Sequence, residues 1–220
     1  MDAQSIKRPR LQAPVLAITG SSCSGKTTLA RLLVETLRTE GVDAELVEQD
    51  SFRCRSKGNK RDGRPSWEGP QFTDWGRLKD AVAAAAIRCA VVIVDGYMIL
   101  DSFEQCPSLA SMIEGVLWVN STVHQVKGRR TVFPRAWGSA ANYAELCVWP
   151  AHVEYQKRVG PHLEKIARTV FLEANDSREQ RLQTAFCVVV HWLEELETFP
   201  LKNGVPEWRS LQNLEFGPQI

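Results

Sequence analysis

Residues 15–28 read VLAITGSSCSGKTT. The spacing G-x-x-x-x-G-K-[ST] begins at Gly20 and follows a short apolar run that predicts a buried strand. The glycines permit a turn whose backbone N–H groups point at phosphate oxygens, and the helix that follows adds its positive end. We expect Lys26 to reach the β and γ phosphates and the Thr27 hydroxyl to ligate Mg²⁺. A chance match in a glycine-serine turn is the alternative, but strand, motif and helix stand in the order that a phosphate loop requires.

The motif predicts a nucleotide site that takes ATP with Mg²⁺ as cofactors. Its predicted ATP-binding residues are Gly20, Ser21, Ser22, Cys23, Ser24, Gly25, Lys26, Thr27 and Thr28. We interpret Cys23 as a small filler of the loop, whose backbone does the binding. The choice between ATP and GTP as phosphate donor stays open at this point.

Apolar runs alternate with amphipathic segments along the chain. The predicted strands are residues 15–19, 44–48, 90–94, 116–119 and 169–172. The predicted helices are residues 27–39, 74–88, 122–130 and 145–167, and a final helix capped by Asp176 or Ser177. This alternation predicts an α/β fold with a parallel sheet, whose ligands lie at the carboxyl ends of the strands.

Charge, length and cysteine content indicate which classes of protein this chain can belong to. With 27 Lys plus Arg and 26 Asp plus Glu, the net charge of +1 gives no global attraction to nucleic acid or to a membrane. The 220 residues predict one main domain at 14–198, between a flexible basic arm at 1–13 and a tail at 199–220. The polar start shows no secretory pattern, and the six scattered cysteines form no CxxC pair. We therefore expect a cytoplasmic protein with reduced thiols, most of them in the core, and leave its oligomeric state open.

Two aspartates directly follow predicted strands. Asp50 comes after residues 44–48, and Asp95 after residues 90–94. A carboxylate at this edge of the sheet can hold Mg²⁺ or orient an attacking hydroxyl, whereas the alternative is an ordinary capping aspartate in a turn. Beside a phosphate loop the functional interpretation is favoured. The predicted catalytic residues are Asp50, Lys26 and Asp95, and the predicted metal ligands are Thr27, Asp50 and Asp95.

Arginines cluster around the end of the helix predicted at 122–130. Arg129 and Arg130 at that end, and Arg135 in the loop predicted at 131–142, are expected to neutralise ATP phosphates, although a solvated basic helix end is the alternative. Residues 53–64 hold six further cations without the interleaved aromatics of an RNA-binding segment. We predict that this segment is a solvated loop beside the phosphate site.

An ordered set of short motifs extends the argument beyond the phosphate loop. These are Gln49-Asp50-Ser51-Phe52, Ser66-Trp67-Glu68-Gly69-Pro70, Asp95-Gly96-Tyr97, Gly128-Arg129-Arg130-Thr131, and Val148-Trp149-Pro150 with Tyr155. Together they resemble the nicotinamide riboside kinase family, a branch of the uridine kinase-like P-loop kinases, over roughly residues 15–196. The resemblance implies a P-loop kinase fold with a parallel sheet flanked by helices and a short arginine-bearing lid.

The same resemblance implies ATP-dependent phosphorylation of the 5′-hydroxyl of a nucleoside, and it assigns roles to single residues. Asp50 matches the catalytic aspartate, Trp67 an aromatic that stacks on the pyridine ring, and Glu68 an acid that binds the ribose diol. Phe52 and Tyr143 complete the substrate-binding residues that we predict. Glu68 stands where aspartate is more usual, and Asp95 where glutamate is more usual, so the reach of both carboxylates differs from the family pattern.

Two other functions compete with nicotinamide riboside kinase. A uridine or cytidine kinase would also carry Ser51 and an aromatic-acid-x-Pro segment, but that branch tends to have lysine in place of Trp149. A nucleotide-binding module without turnover is the alternative of another class. Such a module would not need Asp50 next to Lys26 and Thr27.

Overall fold

The computed structural model describes residues 12–54, 59–61, 64–66, 68–132, 142–163, 166 and 168–196. Its strands are β1 Val15–Gly20, β2 Ala44–Glu48, β3 Asn59–Arg61, β4 Arg64–Ser66, β5 Val91–Asp95, β6 Ile113–Val119 and β7 Thr169–Leu172. Its α-helices are α1 Lys26–Thr39, α2 Trp75–Arg88, α3 Ser102–Gln105, α4 Pro107–Ala110, α5 Val123–Val132, α6 Trp149–Leu163 and α7 Arg178–Glu195. Short 3₁₀ turns span Gln49–Phe52, Pro70–Phe72 and Ile99–Asp101, and a π-helical turn spans Ala144–Val148.

Five strands form one parallel sheet in the order β2-β5-β1-β6-β7. The chain leaves the central strand β1 toward one edge through β2 and β5 and later reaches the other edge through β6 and β7. This reversal creates a crevice at the carboxyl end of β1, where open parallel sheets bind their ligands. The phosphate-loop motif occupies that end of β1. The fold that the sequence predicts, a parallel sheet flanked by helices, is confirmed.

Helices cover both faces of the sheet, which explains why the central strands β1 and β5 are buried along their length and nearly continuously apolar. On one face α2 and α6 pack against the sheet, and the cluster there includes Leu78, Val82, Val94, Trp118 and Tyr155. On the other face α1 and α7 form a second cluster, which includes Leu16, Ile18, Leu33, Phe186 and Val189. Both clusters hold the strands rigid, so the loops at the carboxyl edge extend from a fixed frame.

The structure also corrects several expectations from the sequence. Residues 53–64 are not a loop throughout, because β3 and β4 pair as an antiparallel hairpin. The segment predicted as one helix at 145–167 begins as the π-helical turn and ends at Leu163. Cys147 alone among the six cysteines is buried and the other five are half-buried, so the expectation that most lie in the core is wrong. None of the described helices is long and apolar enough to cross a membrane.

The buried imidazole of His152 makes the stability of the fold depend on pH. This side chain on α6 is 1% exposed among the rings of Trp118, Trp149 and Tyr155, and its Nδ1 has no hydrogen-bond partner within the described residues. Burial, and then the charge of Lys26, lower its pKa from 6.5 to about 4. Between these values the unfolded chain binds a proton that the folded chain does not, so stability falls as the pH falls.

We expect His152→Leu to remove part of this acid sensitivity. The free energy of unfolding of the wild type should drop by about 2 kcal/mol more than that of the variant between pH 7 and pH 5. Denaturant titrations at both pH values measure the difference, and His124→Asn, at an exposed histidine, is the control. Equal drops in wild type and His152→Leu would contradict the assignment.

Candidate nucleotide and acceptor site

The turn between β1 and α1 has the geometry of a phosphate loop. Gly20 has φ 149°, and a Cβ there would lie 2.4 Å from the Val119 carbonyl oxygen, so a larger residue cannot stand at this position. Gly25 at the start of α1 has φ 96°, and Cys23 has φ 64°. The left-handed residues turn the chain sharply onto the helix, so the positive N-terminal end of α1 faces the crevice.

Two arginines hold this loop from outside through its carbonyl oxygens. Arg129 Nη1 donates to the Cys23 and Ser24 oxygens at 3.1 and 2.7 Å. Arg181 Nη1 donates to the same Ser24 oxygen at 3.2 Å, while its Nε and Nη2 donate to Glu173 and Ala174 oxygens. Arg181 is buried, and desolvation together with Arg129 lowers its pKa. The two cations thereby fix the carbonyl side of the loop and add positive charge beneath it.

A cleft of about 410 Å³ opens beside the loop. Its walls are residues 23–29, together with Arg129, Asp176, Arg178 and Arg181. Three of the four side chains from outside the loop are arginines, so the cleft attracts an anion, and its size is within the range of small-molecule sites. Both features fit ATP, with its phosphates on the loop and its nucleoside end between α5 and the start of α7.

The strand-end acid Asp95 lies directly against the loop. Its carboxylate is 4% exposed and accepts a hydrogen bond from the Thr27 side chain, while its Oδ1 is buried with no partner among the described residues. Burial raises the pKa of Asp95, whereas Lys26 and the bond from Thr27 lower it. A buried carboxylate oxygen beside a hydroxyl fits Mg²⁺, which is usually held by one or two protein oxygens plus substrate phosphates. Accordingly, the described part of the chain contains no group of three or more acidic, His or Cys side chains that could hold a metal alone.

Asp50 stands on the 3₁₀ turn that follows β2, and its side chain is 47% exposed. Its Oδ1 accepts a hydrogen bond of 2.8 Å from Arg53 Nε. The charge of Asp50 acts on the pKa of both Asp95 and Glu68. The structure thus brings Asp50 into the same electrostatic neighbourhood as Lys26 and Asp95, at the mouth of the crevice.

Glu68 is a buried acid, 7% exposed. Its Oε1 accepts a hydrogen bond of 3.4 Å from the Tyr143 hydroxyl. Burial raises its pKa, and the charges of Arg53, Arg130 and Lys26 oppose this shift. The net effect is a raised pKa, although the three cations near Glu68 favour its ionised form.

Arg130 and Tyr143 connect the two halves of the site. The guanidinium of Arg130 lies 4.7 Å from the centre of the Tyr143 ring, and Arg130 Nη1 lies 3.9 Å from Cys23 Sγ. Arg130 is 6% exposed, so the alternative of a solvated basic helix end is wrong for this residue. The chain of contacts runs from the phosphate loop through Arg130 and Tyr143 to Glu68.

Several predicted site residues take other positions or lie outside the described residues. Phe52 is half-buried and packs against the core beneath α2. The Ser21 hydroxyl pairs with that of Ser121 at 2.5 Å, and Thr28 is exposed at the cleft. Trp67 and Arg135 lie outside the described residues, so their predicted contacts with the base and the phosphates stay predictions.

The structure adds four residues that the sequence analysis did not assign to the site. Arg53 was grouped with the solvated cations but pairs with Asp50, and Asp176, Arg178 and Arg181 line the cleft. Arg53 stands three residues after Asp50 on one turn, a spacing that could have signalled the pair. No such signal marks Arg181, because an arginine near the start of an amphipathic helix usually faces solvent.

A protein-family model matches the part of the chain that holds the phosphate loop. Residues 15–62 match the model of the phosphoribulokinase/uridine kinase family. The matched stretch contains β1, the phosphate loop, α1, β2 and Asp50 and ends within the segment after Arg53. No curated protein sequence matches the chain.

Solved kinase structures share the fold at low sequence identity. A gluconokinase from Sinorhizobium meliloti 1021 has TM-score 0.53 and 12% identity, covering 86% of this chain and 97% of its own. A shikimate kinase from Acinetobacter baumannii, in complex with shikimate, has TM-score 0.50 and 18% identity, covering 83% and 94%. A possible uridine kinase from Bacillus stearothermophilus has TM-score 0.49 and 17% identity, covering 75% and 91%. The likeness to the first two kinases shows that this chain has a P-loop kinase fold.

Proposed function

We propose that the protein transfers the γ-phosphoryl group of ATP to the 5′-hydroxyl of nicotinamide riboside, giving nicotinamide mononucleotide. The observation that carries the proposal is the position of the Glu68 carboxylate. It is buried, and the charges of Lys26 and Asp50 act on its pKa. The acid proposed to hold the acceptor is therefore within electrostatic reach of the phosphate-loop lysine and of Asp50.

The residues divide the work of phosphoryl transfer by position. Lys26 and the start of α1 neutralise the phosphates of the donor, because this reaction depends on positioning and charge compensation. Thr27 and Asp95 supply oxygens for Mg²⁺, which when bound neutralises charge that develops on the phosphates. Asp50 orients the acceptor hydroxyl and accepts its proton. Glu68 accepts hydrogen bonds from the two ribose hydroxyls and fixes the nucleoside relative to Asp50.

The choice of nicotinamide riboside depends on the charge of its base. A pyridinium ring is attracted to an indole face by a cation–π contact of ~0.5–2 kcal/mol, and Trp67 next to Glu68 is the residue proposed for this contact. Uracil is neutral and is distinguished mainly by its hydrogen-bonding edge, so it would need placed donors and acceptors. The Val148-Trp149-Pro150 segment supports the nicotinamide riboside branch, and its Val148 and Trp149 pack with Tyr143 and Val126.

Uridine or cytidine is the second candidate acceptor. The family match over residues 15–62 and Ser51 after Asp50 favour it, because both features are shared with uridine kinases. This candidate keeps the donor site, Asp50 and Asp95 in the same roles. Only the contacts of Trp67 and Glu68 with the nucleoside would differ.

ADP release with a panel of acceptors tests the proposal. The panel contains nicotinamide riboside, uridine, cytidine, gluconate and shikimate. The last two compounds are included because the two similar solved structures are a gluconokinase and a shikimate kinase. We expect the highest kcat/KM for nicotinamide riboside. A preference for uridine or cytidine would replace the proposed substrate, a preference for gluconate or shikimate would remove the nucleoside assignment, and release with none would favour a binding module.

We predict that Trp67→Ala and Glu68→Gln reduce kcat/KM more for nicotinamide riboside than for uridine. The indole contact alone is worth ~2–30-fold, because 0.5–2 kcal/mol converts to that ratio. Steady-state kinetics with both nucleosides measures the change, and Glu35→Gln, on the exposed side of α1, is the control. If kcat/KM falls equally for both nucleosides, Trp67 still stacks on the base, but the charge of the pyridinium ring does not explain the choice of substrate.

A further inference from the structure

We infer that Arg53 is a positioning residue of this kinase, which holds the Asp50 carboxylate toward the acceptor hydroxyl. The inference rests on the proposed function, since it takes Asp50 as the group that receives the proton. It goes further by assigning a role to a cation that the sequence pattern groups with solvated residues. The geometry of the pair and the anchoring of its backbone carry it.

The pair has a defined geometry. Arg53 Nε donates to Asp50 Oδ1 at 2.8 Å, and the two residues stand three positions apart on and just after one 3₁₀ turn. The Arg53 side chain is 20% exposed, whereas that of Asp50 is 47% exposed. The guanidinium is thus the more buried partner and the carboxylate the more exposed one. A bond to Oδ1 sets the side-chain torsion of Asp50 and so decides where Oδ2 points.

The backbone on both sides of Arg53 is tied to a second segment. Arg53 forms an isolated antiparallel bridge with Thr73. Cys54 N donates to the Phe72 oxygen at 2.7 Å, and Asp74 N donates to the Phe52 oxygen at 2.8 Å. Asp74 is the N-cap of α2, so these bonds attach Arg53 to the start of a helix packed on the sheet. The backbone of Arg53 is therefore anchored at the point from which its side chain reaches Asp50.

Arg53 also lies within electrostatic reach of the second acid of the crevice. Among the charged neighbours of Glu68, Arg53 lowers its pKa the most, whereas Asp50 raises it. The cation therefore reduces the repulsion between two carboxylates that the acceptor must approach together. Exposed ion pairs add little to stability, so the role of this pair is expected to appear in turnover more than in unfolding.

Kinetics of Arg53→Gln and Arg53→Lys test the inference. With nicotinamide riboside, or with whichever nucleoside the acceptor panel identifies, we expect Arg53→Gln to lower kcat by about 10²-fold, because a misplaced catalytic group costs that much. The KM for ATP should change less than about threefold, since the donor site is untouched. Arg53→Lys keeps the charge and one donor and should restore most of the lost kcat. Arg168→Gln is the control and should leave kcat unchanged. It removes a hydrogen bond of 3.1 Å from Arg168 Nε to the Glu195 carboxylate, which lies far from the crevice.

A double-mutant cycle with Asp50→Asn separates positioning from a direct contact with the substrate. If Arg53 acts through Asp50, Arg53→Gln causes no further loss of kcat in the Asp50→Asn background. Additive losses, an unchanged kcat in Arg53→Gln, or a loss that Arg53→Lys does not relieve would each overturn the inference. If Asp50→Asn loses turnover and Arg53→Gln does not, the positioning role of Arg53 is wrong but the proposed function still holds. No phosphorylation of any nucleoside by the wild type removes the proposed function with it.

Discussion

Lys26→Met is expected to lower acceptor-dependent ADP release by ~10³-fold while the protein stays folded. Loss of one preorganised donor at a developing charge costs ~10²–10³-fold, and Lys26 serves both as that donor and as part of the donor-binding loop. Methionine keeps the length and apolar stem of the side chain, which lies over the Tyr97 ring with Nζ 5.9 Å from its centre. Replacement by methionine therefore removes the charge with little change in packing.

The matched control for this variant is Lys79→Met. Lys79 lies on α2 and pairs with Asp80 at the surface, away from the phosphate loop. Circular dichroism and thermal melts of both variants establish that they fold, and ADP release measures their turnover. Equal activity of folded Lys26→Met and wild type would contradict the assignment of residues 20–27 as the ATP site.

The strands of the sheet were predictable from the sequence because both faces of the sheet are covered. A strand that is buried on both sides is nearly continuously apolar, as residues 15–18 and 90–94 are. β1 and β5 are buried along their whole length. The Ser177 cap of α7 was also predictable, since its side chain and that of Gln180 form a capping box.

The elements that the sequence did not predict are those without a periodic apolar pattern. β3 and β4 contain lysine, arginines and a proline, so no alternation of apolar and polar residues marks them. The short helices α3 and α4 have four residues each, too few to show a helical period. The π-helical turn before α6 widens the helix just ahead of Pro150, where the sequence predicts one regular helix at 145–167.

The candidate site also contains some features that the sequence predicts and others that it does not. Residues that a local motif identifies, such as Lys26, Thr27 and Asp95, come together where the motif predicts. Contacts between distant segments follow only from the fold. The pairing of Arg181 with the Ser24 carbonyl joins residues 157 positions apart, and the bond from Tyr143 to Glu68 joins residues 75 positions apart. No spacing rule reaches across such separations, so these contacts needed the structure.

Asp50→Asn is expected to lower kcat by ~10²–10⁴-fold, the usual contribution of a general base, with little change in the KM for ATP. A ribose hydroxyl is a poor nucleophile, so it needs a carboxylate within hydrogen-bond reach to orient it and to take its proton. Asparagine preserves the size of the side chain, and its amide oxygen can still accept the bond from Arg53 Nε. The variant therefore removes the basic carboxylate while the 3₁₀ turn and its anchors remain.

Asp80→Asn is the matched control, because Asp80 is an aspartate on α2 with a side chain that is 72% exposed. Single-turnover measurements at saturating ATP and nucleoside separate the chemical step from product release, and nucleotide titration of both variants checks the donor site. A folded Asp50→Asn enzyme that keeps more than about a tenth of the wild-type rate would show that Asp50 is a structural residue of the turn. In that case the proton acceptor would have to be Glu68 or Asp95. Both are more buried than Asp50, and burial raises the pKa of each, so each would be the stronger base once ionised.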